Sequence, residues 1–563
     1  MSEPGLKVLI LGGYGTFGGR LAQLLADEAR LTLVIAGRSR VKAEDFCAKL
    51  AAAAMLQPVV FDRDGDVEAQ LRAIAPGVVV DASGPFQSYG ADPYRVVRAA
   101  VALGIHYLDL SDGAEFVLGI VQFDAEARLR GVFVRSGVSS FPVLTAAVVR
   151  RLSADLASVE TITGGIAPSP YANVGINVIR AIASYAGKPI AVLRDGRRGT
   201  AYALIDTVNY TVAPPGRLPL HRTRFSLVDV PDLKILPDLW PGVRSVWMGA
   251  GPVPEIWHRA LNALAWLVRL RILPSLSPLA GLMYRTMNAF SWGEHRGGMF
   301  VAVQGTTADG TQVERSWHML AEAEDGPLIP SMAAEAIVRN VLAGRAPASG
   351  ARPATADLEL TDYEAMFARK RIATGIRQTP RPGERVPLYR RILGDAYALM
   401  PQPLQAMHDL DGDLVAEGVA TVERGTGVLS RFAGWLIGFP PAGENIPVTV
   451  TFRLRGAREH WQRNLGGRRF GSVQEEGRRR NERLLCERFG PLNFAMALVR
   501  EDGRLRLVLR RGSLFGIPLP RALLPRNNAY EFAKDGRFHF HVEIAHPLTG
   551  PIVNYRGWLA PRR

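Results

Sequence analysis

Cysteine is close to absent. Cys47 and Cys486 are the two in 563 residues, and they fall in stretches of different character. That excludes a disulfide framework and suits a reducing, cytoplasmic setting. Long apolar runs are missing too: no uninterrupted span reaches the roughly 18 apolar residues of a membrane-crossing helix, so none is expected. The first residues lack a charged-then-apolar leader pattern, and no secretory signal is expected. G-x-S-x-G, P-loop and cysteine-rich metal patterns do not occur, which withdraws the usual sequence signs of those chemistries. Negative charge is in deficit, with 53 Asp and Glu against 68 Lys and Arg and a net charge of +15. Residues 390–563 hold 27 Lys or Arg against 17 Asp or Glu, so +10 of that excess sits in the last third. Such an excess attracts phosphates, nucleic acid or anionic lipid, and it equally describes an arginine-rich, solvated surface. No basic module interleaved with aromatics occurs, so no nucleic-acid partner is expected. Arg478, Arg479, Arg480 and Arg483 read as an exposed loop or helix rather than a phosphate site.

What the sequence does have is 47% hydrophobic residues over a length too great for one core, which implies several domains. The organising stretch is residues 7–36, KVLILGGYGTFGGRLAQLLADEARLTLVIA. An apolar strand (8–11) enters a glycine turn, then a helix with Leu21, Leu24 and Leu25 on one face, then a second strand (31–36). Gly12, Gly13, Gly15 and Gly18 satisfy both G-x-x-G-x-x-G and G-x-G-x-x-G. Residues without side chains let backbone N–H groups close on a pyrophosphate, and the helix N-terminus adds its positive end. Thr16 and Phe17 join the glycines as candidate cofactor contacts.

Gly37-Arg38-Ser39-Arg40 follows the second strand. A fold that binds NAD usually ends this strand on Asp or Glu, which holds the ribose 2′-hydroxyl; here arginines stand ready to neutralise a 2′-phosphate. Arg38, with Ser39 beside it, makes NADP the expected cofactor in preference to NAD. Asp62 ends a third strand (59–61), placed to touch an adenine edge. A helix (67–75) leads to a fourth strand (78–80), and Ser83, Gly84, Pro85 and Phe86 follow in a loop at the carboxyl ends of the strands, where open parallel sheets bind ligands. Gly84 and Pro85 allow close approach, and Phe86 is placed to lie against the nicotinamide ring. A fifth strand (106–110) carries Tyr107 and Asp109 and leads to Ser111 and Asp112. Strand 132–136 completes a six-stranded, doubly wound α/β sheet, since strands alternate with helices.

Taken in order, GGYGTFG, AGRS, DASGPFQSYG, HYLDLSD and GVSSFPVL resemble the saccharopine dehydrogenase/reductase-like oxidoreductases, over about the first 150 residues. The resemblance implies that Gly12, Gly13, Gly15 and Gly18 hold the cofactor pyrophosphate and that Arg38 meets the ribose phosphate. It also implies that Ser83, Gly84, Pro85 and Phe86 border the nicotinamide. It does not set the substrate, since relatives act on imino acids and on lipids. The short-chain dehydrogenases share the turn, but their Tyr-x-x-x-Lys pair is absent from the first 200 residues. Tyr185 and Lys188 are one position too close, and Tyr530 and Lys534 lie far from the cofactor stretch.

Behind a Rossmann domain of residues 1–141, residues 142–370 alternate less regularly and resemble the α+β substrate and dimerisation domain of the same family. A hairpin around Asp309-Gly310 and a helix (331–342) ending at Gly344 are its clearest elements. Residues 255–292 are apolar on nearly every face and broken by Pro274 and Pro278. They fit a membrane-contacting helical pair or a wall for a lipid, and equally a buried helical hairpin. A linker rich in proline and glycine is expected over 371–388. Residues 389–563 read as one short helix (392–407) followed by strands, hence a mainly antiparallel β domain, half barrel or helix-grip-like, around an apolar cavity. Its order resembles an uncharacterised domain found fused behind reductase-like domains. His539, His541 and Glu543 share a strand face with His546 following, a set that Zn²⁺ or Fe²⁺ accepts. Histidines on a solvated strand face are commoner, and no metal is expected.

The expected function is that of an NADP-dependent oxidoreductase passing hydride to or from a small or lipid-like carbonyl, imine or enoyl compound. Asp109, Ser83 and Tyr107 are the candidate proton donors, because they sit at the ends of adjacent strands. The alternative is a non-catalytic NADP(H)-sensing or lipid-binding protein. A homodimer, a cytoplasmic location and peripheral membrane contact complete the expectation.

Overall fold

The computed structural model describes residues 5–562 apart from 173, 253, 290, 291, 323 and 382. The chain forms two compact units, Met1–Asn209 with Thr223–Ala373, and Tyr210–Arg222 with Thr374–Arg563.

The first unit is built on strand Leu6–Leu11, whose Val8, Leu9 and Ile10 are fully buried. An unbroken apolar run of this kind fits a central parallel strand covered on both faces. It pairs in parallel with Leu31–Gly37 on one side and Val78–Asp81 on the other. Among the described residues the sheet runs Gly350–Pro353, Phe133–Ser136, His106–Asp109, Val78–Asp81, Leu6–Leu11, Leu31–Gly37, Met55–Val60. Helices Thr16–Leu25, Arg40–Lys49, Val67–Ile74 and Arg95–Ala102 supply the crossovers. The expected doubly wound α/β sheet forms, and the strand order reverses at its first strand, which puts the glycine turn at the crevice such sheets use for ligands.

The sheet has one strand more than the sequence led us to expect. Gly350–Pro353 returns to pair in parallel with Phe133–Ser136, so the stretch 142–370 is not separate from the Rossmann sheet. What draws it back is Arg135, 1% exposed, which donates to Gly350 O at 2.7 Å and Ala348 O at 2.6 Å.

A second, mixed sheet joins Leu156–Ala167 to Ser245–Ala250 in parallel and to Gly297–Thr307 antiparallel. The Gly297–Thr307 and Gln312–Ala321 strands form the expected hairpin, with Gly310 at φ +82° in the turn. Helix Ile329–Leu342 ends on Gly344 at φ +74°. Helix Glu255–Arg269 is neither wholly buried nor a spanning element. His258, Asn262, Ala265 and Val268 are buried, whereas Ile256 and Trp266 are exposed. Among the described residues no helix is long and apolar enough to cross a membrane.

Part of the expected linker is ordered: Ile372–Gln378 is a strand, and the buried Arg377 donates to Ala213 O and Ile392 O. Those tertiary bonds hold a sequence whose glycine and arginines read as a linker. The β domain closes on itself rather than stopping at a half barrel. Its first long strand, Leu414–Arg424, pairs with its last, Gly550–Pro561, and the Leu492–Glu501/Arg504–Leu514 hairpin completes the ring. Strand Arg526–Lys534 and helix Val428–Ile437 were not expected.

Candidate functional site

The glycine turn leaves room only for backbone. Gly12 stands at φ +70°, and a Cβ there would lie 2.9 Å from Ala82 O. A Cβ on Gly13 would lie 2.8 Å from Ile10 O, and one on Gly18 would lie 2.3 Å from Gly12 O. At these three positions the turn meets the strand ends and the helix backbone to backbone. Helix Thr16–Leu25 has Gly15 at its N-cap, with no side chain accepting its first N–H groups. Those donors and the dipole end are left for an anion, so the turn fits a dinucleotide pyrophosphate.

At the end of the second strand Tyr14 packs its ring on Gly37 and accepts from Ser39 N at 3.0 Å. Ser39 in turn caps helix Arg40–Lys49 by accepting from Lys42 N. Arg40 is taken up by Glu44 at 2.8 Å, while Arg38 is exposed. Arg38 is therefore the arginine fit to meet a 2′-phosphate. Asp62 is exposed and its loop is fixed by Gln70, which accepts from Asp62 N at 2.8 Å and donates to Asp62 O at 2.9 Å.

The candidates at the fourth and fifth strands are held more tightly than a proton donor should be. Ser83 donates to Asp81 Oδ1 at 2.5 Å and shares a 2.8 Å hydrogen bond with the Tyr89 hydroxyl. Tyr107 is fully buried, and burial holds its hydroxyl far above the ordinary range. Asp109 is fully buried as well, and its Oδ1 accepts from Ser111 N, Ser136 Oγ and Gly137 N at 2.9–3.0 Å. Burial raises its carboxyl to about 7 against those three hydrogen bonds. Its geometry is that of a group fixing the 136–138 turn. Phe86, expected against the nicotinamide, is 6% exposed and packs its ring on Tyr89 and Phe116 at 4.8 and 5.0 Å. What the 83–86 loop offers a ligand is mainly backbone.

Sequence reasoning did not find the cleft just beyond this loop. A cavity of about 360 Å³ is lined by Gln87, Tyr89, Tyr94, Glu115, Tyr185 and Asp229, among others. Helix Ile176–Tyr185 spans from cofactor loop to cleft: Asn177 near its start donates to Gly84 O at 2.9 Å, and Tyr185 is its last residue. Before the helix, Gly175 abuts Thr16, where a Cβ would lie 2.6 Å from the hydroxyl. Burial raises the Tyr185 hydroxyl, with the charges of Asp112 and Asp229 adding to it. Burial also raises Asp229, opposed by Lys234, which pairs with Glu115. No spacing pattern links Tyr185 or Asp229 to residues 83–86; the fold alone brings them together.

Elsewhere in this unit Asp232 is fully buried beside Thr145, its carboxyl oxygens without a well-formed hydrogen bond, and burial raises it to about 7. A carboxyl whose folded value lies above its unfolded one stabilises the fold at low pH and loses that contribution as pH rises through the folded value. Asp232→Asn should therefore gain on the parent by about 1.4 kcal/mol per pH unit between about pH 4 and 7. Urea unfolding at both ends of that window checks it, and parallel curves for the two proteins would contradict the assignment. In the barrel, His539 and His541 stack on Phe532 and Tyr530. Among the described residues no group of three His, Cys, Asp or Glu is placed to hold a metal.

The geometry is that of a dinucleotide-binding crevice with an adjoining acid-lined cleft, and a family match covers the crevice. Residues 8–132 match the saccharopine dehydrogenase NADP binding domain. Residues 400–559 match a domain of unknown function, DUF4166. No curated protein matches the sequence. Among solved structures, the apo saccharopine dehydrogenase (L-Glu forming) of Saccharomyces cerevisiae is 12% identical with a TM-score of 0.49, aligned over 67% of this chain and 100% of its own. Biliverdin reductase of Synechocystis, solved with biliverdin and NADP+, is 13% identical with a TM-score of 0.29, over 62% and 93%. The N-terminal sheet is thus an NADP-binding domain of dehydrogenase type, and the chain is an NAD(P)-dependent oxidoreductase.

Proposed function

We propose that the substrate is a small or lipid-like molecule whose carbonyl, imine or enoyl group is reduced or formed in the cleft ending at Tyr185. One observation carries this reading: a single helix is tied to the cofactor loop through Asn177 and ends on Tyr185 in the cleft. Gly12, Gly13, Gly15 and Gly18 with the N-terminus of helix Thr16–Leu25 would hold the pyrophosphate, and Arg38 the 2′-phosphate. Bound there, NADP(H) supplies or accepts the hydride. The chain's own part is to hold the reacting group and its proton. Burial keeps the Tyr185 hydroxyl protonated, so Oη can donate to a carbonyl oxygen or an imine nitrogen. Asp229 lines the same cleft and would relay a proton from water to Tyr185. This reading moves the proton donor away from Asp109, Ser83 and Tyr107, whose polar atoms are buried or engaged.

Fluorescence titration tests the cofactor half. Arg38→Ala should weaken NADPH by roughly 10- to 100-fold, the worth of a charge-assisted hydrogen-bonded contact, and leave NADH nearly unchanged. Equal losses for both nucleotides would refute the 2′-phosphate role. NADPH oxidation against a panel of aldehydes, ketones, imines and enoyl compounds tests the chemistry. Tight NADPH binding with no turnover across that panel favours the sensing reading instead.

A further inference from the structure

The barrel of the second unit encloses a cavity of about 450 Å³, within the roughly 300–1,000 Å³ of small-molecule sites. A larger ring leaves the interior unfilled, where an eight-stranded one is nearly packed by its own side chains. Helices Leu388–Leu393 and Gln402–His408 plug one end, and their Tyr389, Leu393, Leu404 and Met407 join the barrel core. The walls are apolar, as Val450, Met496, Leu507, Phe540 and Ile544 illustrate.

The charged groups on those walls answer one another. Arg463 pairs with Glu487 at 3.0 Å, and Ser472 accepts from Arg463 and donates to Glu487 at 2.6 Å. Glu531 meets His408 at 2.7 Å, and Gln474 accepts from the Tyr389 hydroxyl. A ligand bearing its own charge would lose its water and have to compete with these existing pairs for a counter-charge. An uncharged ligand meets no such penalty. Burial pushes Tyr555, beside Arg463 and Glu487, up to about 12, so its hydroxyl remains a donor for a ligand oxygen.

The other end of the barrel is bare and basic. There the connection carrying helix Val428–Ile437 meets the turns around 466–467, 515–516 and 547–549. Val428 is 82% and Phe515 78% exposed, and Phe432, Trp435, Ile517 and Leu548 are exposed around them. Large apolar side chains grouped in this way mark a contact surface. Arg431, Arg468 and Arg526 are exposed at the same end. Beside them Arg510, Arg511 and Arg521 converge on His221 at 3.0–3.3 Å. Arginines gathered at one end of the barrel concentrate positive charge that draws an anionic lipid surface.

We propose that the barrel binds one uncharged, largely apolar molecule bearing a hydrogen-bonding oxygen, and takes it from an anionic lipid surface through this apolar, arginine-rimmed end. The proposal stands apart from the NADP reading and is tested on the full chain. N-phenyl-1-naphthylamine, an uncharged probe, should bind saturably at a single site, and cis-parinaric acid, a carboxylate, roughly tenfold more weakly. Ala529→Trp and Leu507→Trp, which fill the wall, should each weaken the uncharged probe by about tenfold with NADPH binding and thermal melting retained. Undiminished binding in both folded variants, or equal binding of the carboxylate, overturns the cavity assignment. In flotation, the protein should travel with phosphatidylcholine–phosphatidylglycerol vesicles and not with phosphatidylcholine alone, and Trp435→Ser with Phe515→Ser should abolish this. Flotation with both kinds of vesicle, or with neither, overturns the entry route.

Discussion

Gly18→Ala is expected to remove measurable NADPH binding, with a loss of roughly 100-fold or more in affinity. The added methyl would lie 2.3 Å from Gly12 O, 2.8 Å from Gly12 C and 3.0 Å from Gly13 Cα. All three are backbone atoms, so no side chain can rotate away. Relief requires the turn to lift from the helix, and that turn is fixed from the other side. Gly13 N donates to Ala36 O at 3.0 Å, and a Cβ on Gly12 would already press on Ala82 O at 2.9 Å. Overpacking of this sort costs about 1–3 kcal/mol even where neighbours can yield. Here the deformation falls on the N–H groups that would hold the pyrophosphate. Gly15→Ala is the comparison, because its methyl would come no nearer than 3.0 Å to Gly12 O and 3.9 Å to Gly12 C, and a smaller loss is expected. Titration with NADPH beside far-UV circular dichroism reads both effects. A folded Gly18→Ala protein that binds NADPH within about threefold of the parent would refute the cradle.

That turn was legible because its chemistry is local: glycine spacing, a strand before and a helix after lie within 30 residues. The barrel strands were largely legible for the same reason, through alternation and turns such as Glu501-Asp502-Gly503. The misses share a cause. Gly350–Pro353 reads as a loop from its own four residues and becomes a strand through bonds to Arg135, more than 200 positions earlier. Arg526–Lys534 has two asparagines straight after its first residue, a turn signal, yet Asn527 donates to Leu507 O and accepts from Leu509 N of a neighbouring strand. Barrel closure rests on the pairing of Leu414–Arg424 with Gly550–Pro561, which no local pattern announces. The strand pattern put Tyr107 and Asp109 on the fifth strand but said nothing of their burial. Tyr185 and Asp229 come from elements that only the tertiary fold brings to the cleft.

Asp357→Ala should destabilise the first unit by about 3–5 kcal/mol, the range for leaving one member of a buried ion pair without its partner. The side chains of Arg135 and Asp357 are 1% and 2% exposed, and Arg135 Nε lies 2.9 and 3.0 Å from the two carboxylate oxygens. Arg135 also donates to Val134 O, Gly350 O and Ala348 O, so its guanidinium cannot swing out to water without breaking the edge of the sheet. Burial already lowers its pKa, and the carboxylate is the charge that opposes this. With alanine at 357 the cation must stay buried uncompensated or pull Gly350–Pro353 from its neighbour. Arg98 and Asp92 supply the control: they are exposed at 56% and 37%, and Asp92→Ala should cost no more than about 1 kcal/mol. The effect should also reach the fifth strand, because Ser136 at the end of Phe133–Ser136 and Gly137 after it both donate to Asp109 Oδ1. Urea unfolding measures the stability loss, and amide hydrogen exchange locates it, with faster exchange expected at residues 350–353 and at Gly137. A loss below about 1 kcal/mol would mean that the pair is dispensable and that strand hydrogen bonds alone retain the seventh strand.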